Sequence, residues 1–178
     1  MPPIIPRDQL LKKILGKLIT NIPGFDPQNV KTSLAILEFA NRCVTSYEAH
    51  FARYGLSQGR FTVLMFLLHF PERPWTPAAL ASAVGVRRAT MTGLLGVLEK
   101  GRWIARKPNP DDGRSSRIHL SASGRTRLDK MLPDHFSRLA TAMSGLSPGE
   151  HKMLNKLMAK FGRHVATLAS DDGVIGHK

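Results

Sequence analysis

The strongest constraint on the fold lies in residues 76–120, where two short helices and two short strands are predicted in close succession. Residues 76–83 open with Thr and Pro, a favoured N-cap and first-turn pair, and continue as an apolar helix. Residues 84–86 form a turn in which Gly85 can take a positive φ. A second helix is predicted from about 87 to 100, with apolar residues on one face and a glycine directly after it. Two helices joined by a tight glycine turn form a helix-turn-helix.

A predicted hairpin follows this helix pair directly. Residues 103–106 and 117–120 alternate between apolar and polar side chains, as half-buried strands do. Between them, residues 108–114 form a polar loop of Pro, Asp and Gly. A helix-turn-helix that continues into a hairpin is a winged helix. The predicted fold is therefore mainly α with a small β-hairpin.

Amphipathic helices flank this region. Apolar residues recur at steps of three and four over residues 30–54, which predicts one long helix. Ser57, Ser121 and Ser147 cap three further helices, and Glu150 completes a capping box at the last of them. The predicted organisation is an N-terminal extension (1–29), a first long helix (30–56), a winged helix-turn-helix lobe (57–121), C-terminal helices (122–170) and a flexible tail (171–178).

The extension contains a predicted short basic amphipathic helix. Its apolar stripe and its lysines lie within residues 8–20, and residues 21–27 form a linker that contains two prolines and a glycine. In one interpretation this helix docks on the rest of the protein or on a second subunit. In the other it lies on a membrane surface. Docking is the favoured interpretation.

The net charge indicates the class of partner. The 178 residues include 26 Lys and Arg against 13 Asp and Glu, a formal net charge of +13. Such an excess points to a polyanion, either nucleic acid or an anionic membrane. No stretch approaches the roughly 18 consecutive apolar residues of a membrane span, and no secretory signal is recognised. The single cysteine, Cys43, excludes an internal disulfide. A cytoplasmic protein is expected.

The second helix of the helix-turn-helix is the element that enters the DNA major groove in proteins of this architecture. Arginine can bind guanine through two hydrogen bonds, and threonine can bind a base or contact a thymine methyl. For two adjacent arginines the alternative is a solvated first turn, although positive charge there is unfavourable against the helix dipole. The predicted DNA contacts on this helix are Arg87, Arg88, Ala89, Thr90 and Thr92.

The predicted hairpin adds a second basic surface. Residues 87–117 contain eight basic residues against three acidic ones, which concentrates positive charge where phosphate contacts are needed. Arg114 lies at the loop tip and is predicted to enter a minor groove. Asp112 is predicted to brace Arg114 by a charge-assisted hydrogen bond, with a simple Asp-Gly turn as the alternative. The predicted contacts from the strands are Arg106, Lys107 and Arg117.

No enzyme motif, metal site or cofactor site is recognised. The seven histidines are not paired at metal-ligand spacing on one helix. The chain also lacks a nucleophile elbow, a phosphate-binding loop and an H-E-x-x-H motif. The sequence therefore predicts a binding protein without metal or cofactor, and not an enzyme.

A set of short motifs is spread over the predicted lobe and its neighbours. The motifs are Tyr54-Gly55-Leu56-Ser57, Leu80-Ala81, Thr90-Met91-Thr92, Leu98-Glu99-Lys100, Arg106-Lys107-Pro108, Asp112-Gly113-Arg114, and Ile118-His119-Leu120-Ser121 with Gly124. This set closely resembles the MarR (multiple antibiotic resistance regulator) family over about residues 30–168. The most specific part is the Asp-x-Arg of the loop, followed by a strand and Leu-Ser-x-x-Gly.

The resemblance implies a homodimer, built mainly from the N- and C-terminal helices, that binds a pseudo-palindromic operator in double-stranded DNA. It further implies a repressor that is released by a small, often aromatic or phenolic, ligand held between the dimer helices and the DNA-binding lobe. By this likeness Arg114 is the minor-groove arginine and Asp112 its anchor. Side chains that could line a ligand pocket are Tyr47, Phe51, Met65 and His69, and the alternative is that they belong to the core.

The chain departs from the family pattern at several positions. The family usually places a glycine just before the apolar pair that opens the wing, whereas Gly101 and Arg102 are transposed here, so the helix is expected to end slightly early. Gly113 stands at the wing tip where a second Arg or Lys is common. Peroxide-sensing members carry a reactive cysteine near the start of the first long helix. Cys43 lies about halfway along it and is expected to be buried and inert.

Two functions are compatible with these features. The first is a ligand-responsive repressor of a specific operator. The second is a winged-helix module without ligand control, acting as a non-specific DNA organiser or as an adaptor that uses the wing for protein contact. Arginine and threonine at the start of the second helix favour the first function over an adaptor.

Overall fold

A computed structural model of the chain describes residues 16–17, 26–110 and 115–171, with side chains described up to residue 167. These residues form two compact units that part between Arg127 and Leu128. No helix in the described ranges is long and apolar enough to cross a membrane. The elements are α1 (Pro27–Ala52), α2 (Gln58–His69), α3 (Pro77–Val84), α4 (Arg88–Lys100), β1 (Ile104–Pro108), β2 (Ser116–Leu120), α5 (Ala122–Met143) and α6 (Pro148–Asp171).

Side-chain caps fix the start of several helices. Ser57 and Thr76 each accept a hydrogen bond from the backbone N–H three residues further on, at 3.4 and 3.2 Å. Ser147 and Glu150 form the predicted capping box, with the Ser147 N–H donating to Glu150 Oε2 at 2.8 Å and the Glu150 N–H donating to Ser147 Oγ at 3.4 Å. The sequence therefore located the starts of α2, α3 and α6.

The start of α1 differs from the prediction. The helix begins at Pro27 rather than at residue 30, because Asp26 accepts a hydrogen bond from the Gln28 N–H at 2.8 Å and Pro27 occupies the first helical position. Pro27 is thus part of the helix and not of the linker. Of the predicted helix over 8–20, only Gly16 and Lys17 fall within the described residues, and both are helical.

Helices α3 and α4 form the predicted helix-turn-helix. Gly85, between them, has φ +73°, the left-handed conformation that the turn requires. The core beneath this pair consists of side chains with no exposed surface, and burial of each stabilises the fold by roughly 1.5–3 kcal/mol. They include Val63, Leu64, Leu80, Met91, Leu95 and Leu98.

Strands β1 and β2 form the predicted antiparallel hairpin, which we call the wing. The register runs from Ile104 opposite Leu120 to Pro108 opposite Ser116. The first strand therefore begins one residue later than predicted and extends two residues further towards the tip. The Ile118 N–H donates to the Trp75 carbonyl at 2.7 Å, which ties the wing to the chain just before α3. This confirms the predicted winged helix-turn-helix.

The end of α4 shows the effect of the Gly101–Arg102 order. The helix ends at Lys100, as predicted, and Gly101 has an ordinary φ of −76°. Arg102 instead has φ +57°. The left-handed position before Trp103 is thus occupied by an arginine, although a glycine would adopt this conformation at lower energy.

The second unit consists of most of α5 together with α6. Leu128, Met131 and His135 are buried in α5, and Pro133 lies within that helix. Helix α6 places its apolar residues on one exposed face. That face comprises Met153, Leu154, Leu157, Met158, Phe161 and Val165, with exposures between 38% and 55%.

Candidate nucleic-acid interface

The N-terminal end of α4 carries five of the predicted contacts. Met91, Leu95 and Leu98 are completely buried, so this side of α4 is held against the core. The remaining side of the first two turns faces solvent. The structure leaves the predicted residues exposed together at that end, namely Arg87, Arg88, Ala89, Thr90 and Thr92.

This end of α4 lacks a side-chain cap. Arg87 occupies the N-cap position in an extended conformation and makes no capping hydrogen bond, whereas Asp26, Ser57 and Thr76 cap α1, α2 and α3. No acidic residue lies in the first turn of α4. The first backbone N–H groups of α4 therefore lie beside two adjacent, exposed arginines. Such an arrangement attracts anions, phosphate among them.

The outer face of the wing is basic. Lys107 lies directly opposite Arg117, and Ala105 lies opposite His119. Because successive strand residues alternate between faces, these four share the face that points away from the buried isoleucines of the hairpin. Like charges directly opposite each other destabilise a hairpin. The pairing of Lys107 with Arg117 therefore indicates a surface suited to an anionic partner.

His119 lies close enough to Lys107 and Arg117 for their charges to affect its pKa. Burial lowers the pKa of His119, and the neighbouring charges of Lys107 and Arg117 lower it further. The imidazole is consequently neutral at neutral pH. A phosphate placed on this face would offset the two cations and favour the protonated ring.

A hydrogen-bonded network closes the base of the wing loop. Asn109 Nδ2 donates to Ser115 Oγ at 2.8 Å, and Arg117 Nε donates to Asn109 Oδ1 at 2.9 Å. Residues 111–114, which include the predicted contacts Asp112 and Arg114, lie outside the described residues. The sequence interpretation missed Asn109 and Ser115. The available signal was an asparagine at the end of a strand and just before a proline, a residue type that often bonds across a turn.

Arg106 is directed towards α4 and not towards the outer face of the wing. Its Nε donates to Glu99 Oε2 at 2.9 Å, with side chains that are 33% and 42% exposed. Arg106 therefore lies apart from Lys107 and Arg117, although all three were predicted as contacts. Glu99 was not predicted to take part.

An open groove of about 530 Å³ lies between the start of α3, the exposed side of α4 and the wing. Arg88 and Thr92 line it from α4, and Arg106 and Asn109 line it from the wing. The structure thus gathers three predicted contact residues, Arg88, Thr92 and Arg106, around one space.

The four candidate ligand-pocket residues occupy three different environments. Phe51 is 3% exposed and its ring stacks on that of Phe61, with centroids 4.7 Å apart. Tyr47 and Met65 are half-buried. His69, the last residue of α2, is exposed. Phe51 is therefore a core side chain in the single chain.

Cys43 is partly exposed on α1, so the expectation that it is buried is wrong. Helix α1 contributes only His50 and Phe51 to the buried residues, because most of its length has no covering element in the single chain. Among the described residues, no three or more His, Cys, Asp or Glu side chains are grouped so as to hold a metal ion.

Comparison with known proteins identifies relatives of this architecture. The model of the MarR family matches residues 54–115. The HTH-type transcriptional repressor YetL of Bacillus subtilis is 32% identical over 135 residues, which cover 76% of this chain and 81% of YetL.

Solved structures share the fold. A probable transcriptional regulator from Pseudomonas aeruginosa is 30% identical with a TM-score of 0.58, over 71% of this chain and 93% of that one. The Staphylococcus aureus MepR–DNA complex has a TM-score of 0.62 at 18% identity, over 75% of this chain and 95% of MepR. From the family match and the extent of the identity to YetL, this chain belongs to the MarR family of transcriptional regulators, which are not enzymes.

Proposed function

We propose that the chain is a repressor that binds a pseudo-palindromic operator as a homodimer and is released by a small aromatic ligand. One observation carries the proposal. The N-terminal end of α4 is uncapped and exposed, and it presents Arg87, Arg88 and Thr92 to solvent while the opposite side of the helix is fixed in the core. YetL is named a repressor, and MepR has been solved with DNA, which supports the same activity here.

The proposed division of labour follows from the two surfaces. Arg88 and Thr92 read base edges in the major groove, because they line the open side of α4. Lys107 and Arg117 bind phosphates from the outer face of the wing. By sequence, Arg114 enters the adjacent minor groove and Asp112 anchors it. The remaining proposed contacts are Arg87, Ala89, Thr90 and Arg106.

Exposed apolar residues support the homodimer. Monomeric proteins rarely leave this many large apolar side chains exposed to water. The six large apolar residues of α6 and Leu37, Phe39 and Val44 of α1 are exposed in the single chain. A second copy related by a two-fold axis would cover them and would place two α4 helices about 34 Å apart, one for each half-site.

Ligand control requires only a shift in that spacing. A ligand that binds more tightly to a dimer whose two α4 helices lie at another spacing shifts the population away from the DNA-binding form. The loss of DNA affinity is then set by the ratio of the ligand's affinities for the two forms. Tyr47 and Met65 are the half-buried candidates for such a ligand. Tyr47→Phe and Met65→Ala should weaken release by a panel of small phenols and aromatic acids while leaving DNA affinity within about twofold, since neither residue lies on the proposed DNA surface.

The experiment that tests the DNA part of this proposal is a titration of the full chain. The duplex is the one that the protein itself enriches from a random-sequence library, and random duplex serves as competitor at several salt concentrations. We expect saturation at two subunits per site and a preference of about 10³-fold or more over random DNA.

Equal affinity for both duplexes with a steep salt dependence would contradict the proposal and favour a non-specific DNA-binding module. Arg88→Ala should remove most of the preference. Arg163→Ala, which removes the same charge from an exposed position on α6, is the matched control and should not.

A further inference from the structure

Arg127 of α5 contacts the end of α4 and the start of the wing at once. Its guanidinium carbon lies 3.5 Å from the centroid of the Trp103 ring. Its Nη1 donates a hydrogen bond to the Gly101 carbonyl at 2.8 Å. Burial lowers the pKa of Arg127, as expected for a cation held partly out of water. Arg127 is the last residue of the first unit, so all of these contacts lie within that unit.

The two groups that Arg127 contacts lie between α4 and β1, at the two ends of the short segment that joins them. Gly101 is the residue that follows α4, and Trp103, 4% exposed, is the residue that precedes β1. Only Arg102 lies between them, in its left-handed conformation. This three-residue link, 101–103, is the covalent connection between α4 and the wing. One side chain spans both ends of the link.

The start of α5 is fixed to the same link by Ser121, the residue just before the helix. The Ser121 N–H donates to the Trp103 carbonyl at 3.0 Å, and Ser121 Oγ donates to the Arg102 carbonyl at 2.7 Å. Gly124 packs so closely that a Cβ there would lie 2.1 Å from the Trp103 carbonyl oxygen. The helix that carries Arg127 is thus held in place independently of Arg127. The guanidinium is presented to the link by a rigid support.

The geometry suits arginine better than lysine. The planar guanidinium stacks on the indole while one edge remains free to donate to a carbonyl. A lysine ammonium is a single point charge on a flexible stem and cannot cover the ring and bond to Gly101 in the same way.

We propose that Arg127 is a positioning residue for operator recognition, fixing the angle between α4 and the wing so that both reach their DNA surfaces together. The proposal rests on the proposed function, because it presupposes a specific operator. Arg127 acts through the link and does not itself bind DNA. Base contacts depend on alignment, whereas non-specific affinity depends mainly on the number of phosphates neutralised. Loss of Arg127 should therefore lower the preference for the operator more than the affinity for random DNA.

The test compares Arg127→Met with Arg125→Met. Methionine keeps an apolar stem over Trp103 but removes the stacked cation and the bond to Gly101. Arg125 is exposed on the same helix two residues earlier, so its substitution removes the same charge without touching the link. For each variant the operator, obtained by enrichment with the unsubstituted protein, is titrated against random duplex well below the unfolding temperature. We expect Arg127→Met to reduce the preference by about tenfold or more and Arg125→Met by less than about twofold.

Equal preferences in the two methionine variants would overturn the positioning role. So would a lower unfolding midpoint for Arg127→Met with an unchanged preference, because the contact would then be only structural. If Arg127→Met does not fold, Arg127→Lys decides, and an unchanged preference in that variant overturns the role. If the unsubstituted protein itself shows no operator preference, the proposed function fails and the positioning role fails with it.

Discussion

Arg106 of the wing donates a hydrogen bond to Glu99 in the last turn of α4, with Nε and Oε2 2.9 Å apart. This ion pair holds one of the candidate DNA-binding arginines against a carboxylate, at the edge of the groove between α4 and the wing. The side chains of Glu99 and Arg106 are 42% and 33% exposed, so solvent screens the pair and it contributes little to folding. The carboxylate also lowers the net positive charge at the edge of the groove.

Substitution of Glu99 by Gln should therefore strengthen DNA binding. Removal of the carboxylate frees Arg106 for a phosphate, which should raise affinity several-fold at low salt and steepen the salt dependence by roughly one ion. The free energy of unfolding should change by less than about 1 kcal/mol. Asp134→Asn is the control, because Asp134 forms an ion pair with Arg138 within α5, in the second unit. Unchanged affinity in Glu99→Gln would show that Arg106 does not reach DNA.

Arg87→Ser should change stability and DNA binding in opposite directions. A serine at this uncapped N-cap position can accept a hydrogen bond from the first turn of α4, which should stabilise the fold by about 1 kcal/mol. Loss of the arginine should weaken DNA binding. Arg87→Ala separates the two effects, since it removes the same charge without supplying a cap. We expect equal losses of affinity in both variants, and a raised denaturation midpoint in the serine variant alone. A serine variant that binds DNA as well as the native chain would exclude Arg87 from the interface.

Arg102→Gly should stabilise the protein. In the left-handed region the Cβ of any residue other than glycine clashes with the backbone, and this strain destabilises the folded state by about 1 kcal/mol. The φ of Arg102 is +57°. Chemical denaturation should therefore give a free energy of unfolding about 0.5–1 kcal/mol higher for this variant. Arg125→Gly places the same change inside a helix and should destabilise by about 1 kcal/mol. Destabilisation by both substitutions would indicate that the Arg102 side chain makes a contribution larger than its backbone strain.

His119 should make both stability and DNA binding depend on pH. Its pKa is lowered from the ordinary value of 6.5 in the folded protein, so the unfolded chain binds the proton more readily. The contribution of His119 to stability is therefore fully present above about pH 6.5 and is lost as the pH falls below that value. Relative to His119→Gln, the native chain should lose free energy of unfolding between pH 7.5 and 5.5. A constant difference between the two proteins would contradict this assignment.

For DNA binding we expect the opposite pH dependence, and His119 is again the group responsible. A phosphate beside Lys107 and Arg117 favours the imidazolium, so DNA binding should be accompanied by proton uptake at His119. The affinity of the native chain should rise more than that of His119→Gln as the pH is lowered from 7.5 to 5.5. Fluorescence anisotropy with a labelled duplex at fixed ionic strength measures this. Identical pH dependence in the two proteins would place the outer face of the wing away from the phosphates.

Features that depend on local chemistry were predictable from the sequence. The turn at Gly85 and the caps at Ser57, Thr76 and Ser147 follow from residue types whose preferences hold within a few residues. Pro27 was misplaced because proline is equally suited to a linker and to the first position of a helix, and only the hydrogen bond of Asp26 decides between them.

Side-chain placement in the wing was only partly predictable. Arg106 and Lys107 are adjacent in a strand, so strand alternation alone puts them on opposite faces, and the prediction of both as equivalent contacts overlooked this. The pairing of Arg106 with Glu99 and of Arg127 with Trp103 joins residues from different elements. Such contacts depend on how the elements pack, and no short sequence motif encodes them.

The base preference of Arg88→Ala at each position of the operator shows most directly whether the exposed end of α4 reads the bases. The native chain and the variant are each measured against a library in which every base pair of the enriched duplex is varied singly, with Arg163→Ala as the control. We predict that Arg88→Ala loses about 1–3 kcal/mol of discrimination at one position in each half-site, symmetrically about the centre, and keeps its preferences elsewhere. A profile that falls uniformly, or that matches the control, would contradict the claim that the exposed end of α4 reads the bases.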